Sequence, residues 1–411
     1  MSHRAIAACR ICGGTNLATV LDLGEQALTG VFPDAKSPDV EVAPLDLVKC
    51  VGGCGLVQLR HTCEPSMMYG ANYGYRSGLN RSMVEHLRAK VAKLATLASL
   101  AKGDVVLDIG SNDGTTLSSY PADAKLFGID PTAAKFLEHY PPHVKVVPDF
   151  FSSARFFEAS GGARAKIITS IAMFYDLERP MDFMQQVFDS LADDGIWHFE
   201  QSYLPMMLDA VSYDTICHEH LEYYALAQIQ WMAERVGFRI VDVELNDING
   251  GSFAVTAKKG RDVSASPRVA ELAAQEKKRE LDALAPYERF AADVARHRDE
   301  LRALLGRLRD EGKRVFGLGA STKGNVLLQY CGIGVRDLAC IAEVNPDKFG
   351  HVTPGTHIPI VSEAEALGRS PDYFMVLPWH FRSAMLRAHA SFIERGGKMI
   401  FPLPRLEIVT A

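Results

Sequence analysis

Apolar runs alternate with helical patterns from Val105 to about Lys259, and this alternation constrains the fold more than any other feature of the sequence. Strands separated by helices in this way form a parallel sheet with helices on its faces. The segment ends differently, because two strand-like runs, at 239–246 and 252–258, flank a Gly-Gly turn. We therefore expect a parallel sheet closed by an antiparallel hairpin. The candidate parallel strands are VVLDIG, KLFGID, VKVVPDF, AKIITSI and GIWHFEQ.

The length of the chain, 411 residues, is more than one small core needs and is enough for two or three domains. Hydrophobic residues make up 47% and charged residues 23%, a balance typical of globular proteins rather than disordered ones. The net charge of -6 lacks the basic excess of proteins that bind nucleic acid over a broad face. No apolar run approaches the roughly 20 residues that cross a bilayer, and the first residues lack a secretory apolar region. We expect a cytoplasmic protein with neither a nucleic-acid nor a membrane partner.

Four of the eight cysteines form two closely spaced pairs. Cys9 and Cys12 make a C-x2-C pair, and Cys50 and Cys54 make a C-x3-C pair. In a reducing cytoplasm such pairs indicate a tetrahedral thiolate zinc site rather than disulfides. Glycines flank both pairs and allow turns tight enough for the sulfurs to converge. Four protein ligands leave no position for water or substrate, so we expect a structural zinc ion; the alternative is four unrelated buried thiols.

The chain divides into three predicted domains. Residues 1–68 form a zinc-binding module, because a segment of this size cannot be stable on its apolar core alone. Residues 69–262 hold the parallel sheet, with a helical lead-in at 69–101 that begins with a tyrosine-rich connector. Residues 263–411 start with one or two charged helices and continue as a second, Rossmann-like α/β unit. The predicted fold class is α/β, with two Rossmann-like domains behind a small zinc domain.

The first strand of the parallel sheet runs into a glycine-containing loop, DIGSNDG, at the carboxyl edge of the sheet. There Gly110 and Gly114 permit the backbone to approach a ligand closely, and Asp108 is placed to hydrogen-bond the ligand's amino group. Asp130, at the end of the next strand, suits a ribose diol. The dinucleotide fingerprint G-x-G-x-x-G is absent, because Asn112 stands at its second glycine.

The missing fingerprint and the hairpin ending together favour S-adenosylmethionine over NAD as the cofactor. A parallel sheet closed by an antiparallel hairpin is the layout of class I methyltransferases, so we expect the central domain to have that fold. Asp149, after the third strand, is placed either to meet the adenine amino group or to cap the following helix.

The segment CHEHLEYY concentrates ionisable and hydroxyl side chains after the fifth strand, on the side of the sheet where ligands bind. A histidine with a nearby carboxylate is a usable general base near neutral pH. His218 and His220 are the candidates, with Glu219, Tyr223 and Tyr224 beside them. Two alternatives remain open, a solvated helix start or a pair of histidine metal ligands, although the H-E-x-x-H spacing of zinc proteases is absent.

In the last domain the sequence GASTKGN opens a helix with Ser321, Thr322, Lys323 and Asn325. Backbone N–H groups at a helix start, together with a lysine, suit a diphosphate. The P-loop pattern is not satisfied, because the lysine precedes the glycine. A Rossmann turn with surface charges is the alternative. His380, at the end of a later strand, is placed to pack on a base or sugar.

Together these segments resemble, over essentially the whole chain, the sugar C-methyltransferases that add a branch methyl to nucleotide-linked 4-keto deoxysugars. The matching pieces are CRICGG, CGLVQL, YRSGLN, DIGSNDG, CHEHLEYY, NGGS and GASTKG. The resemblance implies an N-terminal zinc domain, a central S-adenosylmethionine domain and a C-terminal domain that helps bind a dTDP-, GDP- or CDP-linked 4-keto sugar. We expect a monomer or a weak homo-oligomer.

The resemblance also implies chemistry at the carbon next to the ketone, usually C3 of the hexose. His220 then matches the family's general base, with Glu219 beside it and Tyr75 reaching into the same site; His218 is the competing candidate. A C–H beside a ketone can be removed when a base lies within hydrogen-bond reach and the enolate oxygen is stabilised. Where some relatives have a histidine after the fourth strand, this chain has Tyr175 as the nearest polar substitute.

Two other functions remain open at this point. One is O- or N-methyl transfer to another small molecule, which needs a base but no acidic C–H. The other is a non-catalytic zinc-ribbon binding protein that uses the methyltransferase fold as a scaffold.

Overall fold

The computed structural model describes residues 3–68, 75–260 and 263–411. The first part of the tyrosine-rich connector, at 69–74, lies outside the described residues. Three large sheets follow one another along the chain, and a two-stranded sheet accompanies the first of them.

The N-terminal module is built from antiparallel strands around the two cysteine pairs. Strands β2, β3 and β4 pair in sequence order, and β1 pairs with β5. The elements are β1 (His3–Ala5), β2 (Leu17–Ala27), β3 (Val42–Cys50), β4 (Val57–Leu59), β5 (His61–Cys63) and α1 (Pro65–Met68).

The central sheet has the predicted parallel strands and the predicted closing hairpin. Its strand order is β8-β7-β6-β9-β10-β13-β12; strands β6 to β10 pair in parallel, and β13 runs antiparallel to both of its neighbours. The lead-in helix α2 begins after Asn80, whose side chain accepts a hydrogen bond from the Ser82 N–H at 3.0 Å. The elements of this part of the chain are α2 (Arg81–Leu97), β6 (Val105–Ile109), β7 (Lys125–Ile129), β8 (Lys145–Val147), α3 (Ser153–Ser160), β9 (Ala165–Ile171), α4 (Pro180–Ser190), β10 (Leu191–Ser202), α5 (Leu204–Asp209), β11 (Glu222–Tyr223), α6 (Leu226–Val236), β12 (Phe238–Asn246) and β13 (Ser252–Lys259).

Strand β11 does not join the central sheet. It pairs antiparallel with β4, where Glu222 faces Gln58 and Tyr223 faces Val57, so it becomes the edge strand of the N-terminal sheet. The N-terminal module is therefore completed by two residues from the CHEHLEYY segment, far along the chain.

The C-terminal part starts with two helices, α7 and α8, as expected, and continues into a second α/β sheet. The strand order is β16-β15-β14-β17-β18-β19, parallel except for the last strand. The elements are α7 (Pro267–Lys278), α8 (Ala285–Asp310), β14 (Val315–Leu318), α9 (Thr322–Tyr330), β15 (Ile341–Glu343), β16 (Ile360–Ser362), α10 (Glu363–Gly368), β17 (Tyr373–Val376), α11 (Arg382–Ala388), α12 (Ala390–Glu394), β18 (Lys398–Phe401) and β19 (Glu407–Val409).

The N-terminal module packs directly on the C-terminal domain. Leu21, Leu45 and Leu47 share one buried apolar cluster with Phe290 and Val294 of α8. Gln329 of α9 accepts a hydrogen bond from the Ala27 N–H at 2.8 Å and donates one to the Ala27 carbonyl at 3.1 Å. Within the described ranges no helix is long and apolar enough to span a bilayer.

Candidate active site and zinc centre

The four paired cysteines converge on one point. Their sulfur atoms all lie within 4.8 Å of one another, with Cys9 Sγ 3.5 Å from Cys54 Sγ and Cys12 Sγ 3.5 Å from Cys50 Sγ. Zn–S bonds of about 2.3 Å place tetrahedral sulfurs about 3.8 Å apart, so this cluster fits a zinc ion. A Cβ on Gly53 would lie 2.6 Å from Cys50 Sγ, which explains the glycine beside the second pair.

A cavity of about 260 Å³ lies at the carboxyl edge of the central sheet. Asp130 lies on its wall at the end of β7 and accepts hydrogen bonds from Asn112 N–H at 2.8 Å and from Thr132 N–H at 2.6 Å. Its carboxylate is therefore held in place, with lone pairs left for a ligand hydroxyl. The apolar part of the wall comes from Met83, Leu87, Phe150, Phe151, Met173 and Phe183.

The glycine loop after β6 forms the floor of this cavity. Gly110 has φ +74, and a Cβ there would meet Met173 Cγ at 3.0 Å, so the position requires glycine. Asn112 lines the cavity; its side chain accepts from the Ser77 N–H at 3.0 Å and donates to the Tyr75 carbonyl at 3.0 Å. This places Tyr75 on the cavity wall, half-exposed, at the mouth of the cofactor site.

Three residues predicted to bind the cofactor are not among the residues that line this cavity, and each has another contact. Asp108 is buried and accepts a hydrogen bond from Thr169 Oγ1 at 2.5 Å; burial raises the pKa of its carboxyl to about 7. It therefore braces β6 against β9. Gly114 packs on Tyr140, whose ring a Cβ would meet at 2.7 Å. Asp149 is half-buried and pairs with Arg155 at 2.7 Å, and its neighbour Phe150 lines the cavity.

The CHEHLEYY segment turns sharply where all three parts of the molecule meet. His220 Nδ1 lies 2.8 Å from the Thr215 carbonyl, and its ring centroid lies 4.3 Å from that of Tyr175. The following N–H, of Leu221, donates to the Tyr175 carbonyl at 2.8 Å. Asp176, next along the chain, lies on the wall of the cofactor cavity. His220 is thus attached to the same short segment that borders the cofactor cavity.

Lys323, at the start of α9, approaches this turn from the C-terminal domain. Its Nζ donates to the Asn249 carbonyl at 2.6 Å, and Asn249 lies on the cavity wall. Burial and the Lys323 charge lower the pKa of His220 to about 4. Because Nδ1 must carry the proton to donate to Thr215, neutral His220 presents Nε2 as its proton acceptor.

Glu219 lies between the N-terminal module and α9. A Cβ on Gly30 would overlap its carboxylate and would lie 3.8 Å from Thr322 Oγ1. Burial raises the pKa of this carboxyl. Glu219 and Thr322, both predicted site residues, are therefore close to each other.

His218 lies on the opposite side of the turn and contacts the N-terminal module. Its Nε2 lies 3.0 Å from the Ala43 carbonyl, its side chain is buried, and burial lowers its pKa to about 4. This arrangement attaches the turn to β3.

His380, like Lys323, lies where the C-terminal domain meets the turn at Asn249 and Gly250. A Cβ on Gly250 would lie 3.6 Å from His380 Cβ, and burial with the Lys323 charge keeps the pKa of His380 well below its usual range. Its neighbour Trp379 is structural, because Nε1 donates to Asp214 Oδ2 at 2.7 Å.

Several residues predicted to bind substrate make contacts within the protein. Tyr223 and Tyr224 are buried in the two main apolar clusters, and the Tyr224 ring stacks on Phe174 at 5.5 Å. Asn325 is buried and donates from Nδ2 to the Thr29 carbonyl at 2.7 Å, which attaches α9 to the N-terminal module. Ser321 caps α9 by accepting from the Gly324 N–H at 3.1 Å.

Sequence reasoning missed two polar side chains at the cavity. Glu200 and Gln201, at the end of β10, both lie on the wall. The signal was present in the strand candidate GIWHFEQ, because two polar residues that close a buried parallel strand stand where ligands bind.

Glu200 forms a buried ionic cluster. Its carboxylate lies 2.7 Å from His86 Nε2 and 2.8 Å from Lys90 Nζ, and Asn246 Nδ2 donates to it at 2.8 Å. Although burial acts against the ionised form, these partners lower its pKa to about 2.

Family models match most of the chain in three consecutive stretches. Residues 9–69 match a zinc binding domain, residues 79–243 a methyltransferase domain and residues 247–404 a C-methyltransferase C-terminal domain. The C-methyltransferase NovU of Streptomyces niveus is 32% identical over 413 residues, which cover 99% of this chain and 98% of that protein. The chain belongs to this C-methyltransferase family.

Solved methyltransferases also resemble part of this C-methyltransferase. A magnesium protoporphyrin IX methyltransferase from Synechocystis PCC 6803, solved with bound S-adenosylhomocysteine, is 14% identical and covers 46% of this chain and 91% of its own, with a TM-score of 0.35. A Burkholderia thailandensis 1,6-didemethyltoxoflavin-N1-methyltransferase is 15% identical and covers 43% of this chain and 78% of its own, with a TM-score of 0.33. Scores this low carry no argument about the site.

Family membership and the geometry agree on the general chemistry. The protein is an enzyme, an S-adenosylmethionine-dependent C-methyltransferase with an N-terminal zinc domain. The expected cofactor and the expected structural zinc are therefore confirmed.

Proposed function

We propose that the enzyme methylates the carbon next to the ketone, C3, of a nucleotide-linked 4-keto-6-deoxy sugar through a base-generated enolate, with His220 as the base. The observation that carries the proposal is the attachment of His220 beside the cofactor cavity with Nδ1 bound to the Thr215 carbonyl. That contact selects the tautomer whose Nε2 accepts a proton.

The first step is removal of the proton beside the ketone. The C–H electron pair moves into the ring as a C=C bond, the ketone oxygen takes the negative charge, and the proton passes to His220 Nε2. The low pKa of His220 keeps it neutral and ready at pH 7. The Lys323 ammonium, which lowers the pKa of His220 through space, would also stabilise negative charge that develops on the substrate.

S-adenosylmethionine, when bound, supplies the electrophilic methyl group that the enolate carbon takes up. The residues that we propose to hold it are Asp130 for the ribose and the Gly110 to Asn112 backbone for the amino-acid end, with Tyr75 at the mouth. We propose that the sugar nucleotide, of unassigned nucleobase, is contacted where the CHEHLEYY turn meets the C-terminal domain. The residues proposed to contact it are Glu219, Ser321, Thr322 and His380.

Hydrogen exchange tests the base assignment separately from methyl transfer. In D2O with S-adenosylhomocysteine, wild-type enzyme is expected to introduce deuterium beside the ketone of a dTDP-4-keto-6-deoxy sugar, followed by NMR. His220→Ala is expected to slow this exchange by about 10²- to 10⁴-fold, the usual contribution of a general base.

His218→Ala is the comparison variant, because it removes the neighbouring imidazole and leaves Nε2 of His220 in place. Equal exchange by wild type and His220→Ala contradicts the role of His220. Loss in His218→Ala alone assigns the base to His218. A methylated product whose NMR spectrum shows the methyl on oxygen contradicts the enolate route altogether.

A further inference from the structure

The amide of Gln201 is buried in the cavity wall without a protein partner. The residue is 1% exposed, and within the described parts of the chain neither Nε2 nor Oε1 has a hydrogen-bond partner. Buried amides in folded proteins are almost always paired, so an amide unpaired at both ends, in a residue that lines a cavity, has both hydrogen-bonding groups left for a ligand.

The neighbouring polar side chain behaves differently. Glu200 is satisfied by His86, Lys90 and Asn246, all within 2.8 Å. Adjacent residues of a strand point to opposite faces of the sheet, so Glu200 serves the face with α2. Gln201 is on the same face of the sheet as Phe199, whose ring packs on that of Phe174. Phe174 is followed in the chain by Tyr175, which contacts His220, and by Asp176, which lines the cavity.

The strand order places Gln201 on the acceptor's side of the cavity. From Asp130 after β7, the edge of the sheet passes β6 and β9 before it reaches Gln201 in β10, three strand spacings or about 14 Å. In S-adenosylmethionine the sulfonium is separated from the ribose by one methylene only. With the ribose at Asp130, Gln201 therefore lies beyond the sulfonium, where the methyl acceptor must be.

We propose that Gln201 is a catalytic residue whose Nε2–H group donates to the ketone oxygen of the acceptor. This inference rests on the proposed function. As His220 removes the proton, the ketone oxygen gains negative charge and the hydrogen bond from Gln201 strengthens. When the C–C bond to the methyl carbon forms, the carbonyl is restored from the enolate, and the methyl–sulfur bond of the cofactor would break with its electron pair left on sulfur. Oε1 accepts from a hydroxyl of the same sugar.

The test compares Gln201→Leu and Gln201→Glu with wild type in two assays, deuterium exchange beside the ketone and calorimetric binding of S-adenosylhomocysteine. Exchange is expected to fall about 10²- to 10³-fold in turnover rate, as for loss of one oxyanion donor. Affinity for S-adenosylhomocysteine is expected to stay within about threefold. Gln201→Glu keeps the side-chain volume, and while its carboxyl is ionised it only accepts hydrogen bonds and cannot replace the donor.

Gln26→Leu is the matched control, because Gln26 is also a buried amide, 2% exposed, in β2. The Gln26→Leu variant is expected to catalyse deuterium exchange at the wild-type rate. A large loss of S-adenosylhomocysteine affinity in the Gln201 variants overturns the acceptor-side assignment. Unchanged exchange, or a raised KM with unchanged kcat, overturns the donor role. If wild-type enzyme itself gives no exchange, the proposed function fails, and the inference fails with it for that distinct reason.

Discussion

At the scale of single residues, burial and one lysine determine which groups in the site can act. Burial with the Lys323 charge lowers the pKa of His220 and keeps that of His380 low, while burial alone raises the pKa of Glu219. A neutral imidazole beside a buried ammonium is a proton acceptor, not a donor, at pH 7. The Lys323 side chain, predicted from the sequence as a diphosphate ligand, therefore has a second role to test.

The first prediction concerns pH. Because the pKa of His220 is lowered to about 4, exchange beside the ketone should stay constant from pH 7 down to about 5 and fall as Nε2 is protonated below that. Lys323→Met removes the charge that opposes protonation, so the acidic limb should move upward, toward the ordinary value near 6.5. Exchange rates from pH 4 to 8 measure this shift, with reassay at pH 7 to exclude acid inactivation. An acidic limb at the same pH in both proteins contradicts the coupling.

The second prediction concerns Gly30. Its φ is not left-handed, so the steric contact of an added Cβ with the Glu219 carboxylate is the whole effect of Gly30→Ala. We expect about a tenfold loss of exchange rate, because small displacements of catalytic groups are costly. Thermal unfolding should change little, since the carboxylate can rotate away.

Gly368→Ala is the control for Gly30, because a Cβ there meets nothing within 4 Å and its φ is not left-handed. If Gly30→Ala exchanges hydrogen at the same rate as the wild-type enzyme, the position of Glu219 does not matter to proton removal, and this prediction is wrong.

At the scale of elements, the strand β11 explains why the active-site turn is where it is. The turn from Cys217 to His220 is anchored on one side by β11 pairing with β4 and on the other by the Leu221 N–H bond to Tyr175. A two-residue strand has little stability of its own. The position of β11 therefore depends on contacts of its side chains, such as the contact of Glu222 with Arg10.

The third prediction tests that anchor. Arg10 is buried 3.6 Å from Glu222 and donates to the Leu59 carbonyl at 2.6 Å and to Thr62 Oγ1 at 2.7 Å. Arg10→Met leaves the buried acceptors Leu59 carbonyl and Thr62 Oγ1 unpaired, at about 1–3 kcal/mol each, so we expect a loss of about 2–5 kcal/mol in unfolding free energy. Denaturant titration measures it.

Glu222→Gln separates charge from shape in the same pair and should cost clearly less than Arg10→Met, because Arg10 keeps its other acceptors. Arg4→Met removes an exposed pair with Glu178 and should cost under about 1 kcal/mol. Equal losses in Arg10→Met and Arg4→Met would show that the buried pair does not anchor β11.

The sequence predicted the large elements well because their signals are local. The five parallel strands and the hairpin are runs of apolar residues with turn residues between them, and each is found. Strand β11 carries no such signal, since it is two residues long and depends on a partner far away in sequence. For the same reason Tyr223, Tyr224 and Asn325 were predicted as ligands: their residue types suit binding, and only tertiary packing shows that their side chains are buried.

At the scale of the whole molecule, the proposed active site draws residues from all three parts of the chain. The N-terminal module supplies Gly30, the central domain His220 and Gln201, and the C-terminal domain Lys323 and Thr322. Among the described residues, those that line the cofactor cavity lie between Tyr75 and Ser252. The N- and C-terminal parts therefore bear on the proposed proton removal, whereas the described wall of the cofactor cavity comes from the central domain.

The fourth prediction uses this division. The cysteine cluster stabilises the module that carries β4 and Ala43, to which β11 and His218 attach. Cys12→Ala removes one of four thiolates, and a small module that depends on zinc should lose its fold. We expect one zinc per chain in wild type by elemental analysis and less in Cys12→Ala. Exchange beside the ketone should fall at least about 100-fold, while S-adenosylhomocysteine affinity changes by less than about tenfold.

Cys340→Ala is the control, because Cys340 is a buried thiol of the C-terminal domain outside the cluster; this variant should keep both its zinc and its activity. Full exchange by a zinc-free protein, or parallel loss of cofactor binding and exchange in Cys12→Ala, contradicts this dependence of the active-site turn on the zinc module.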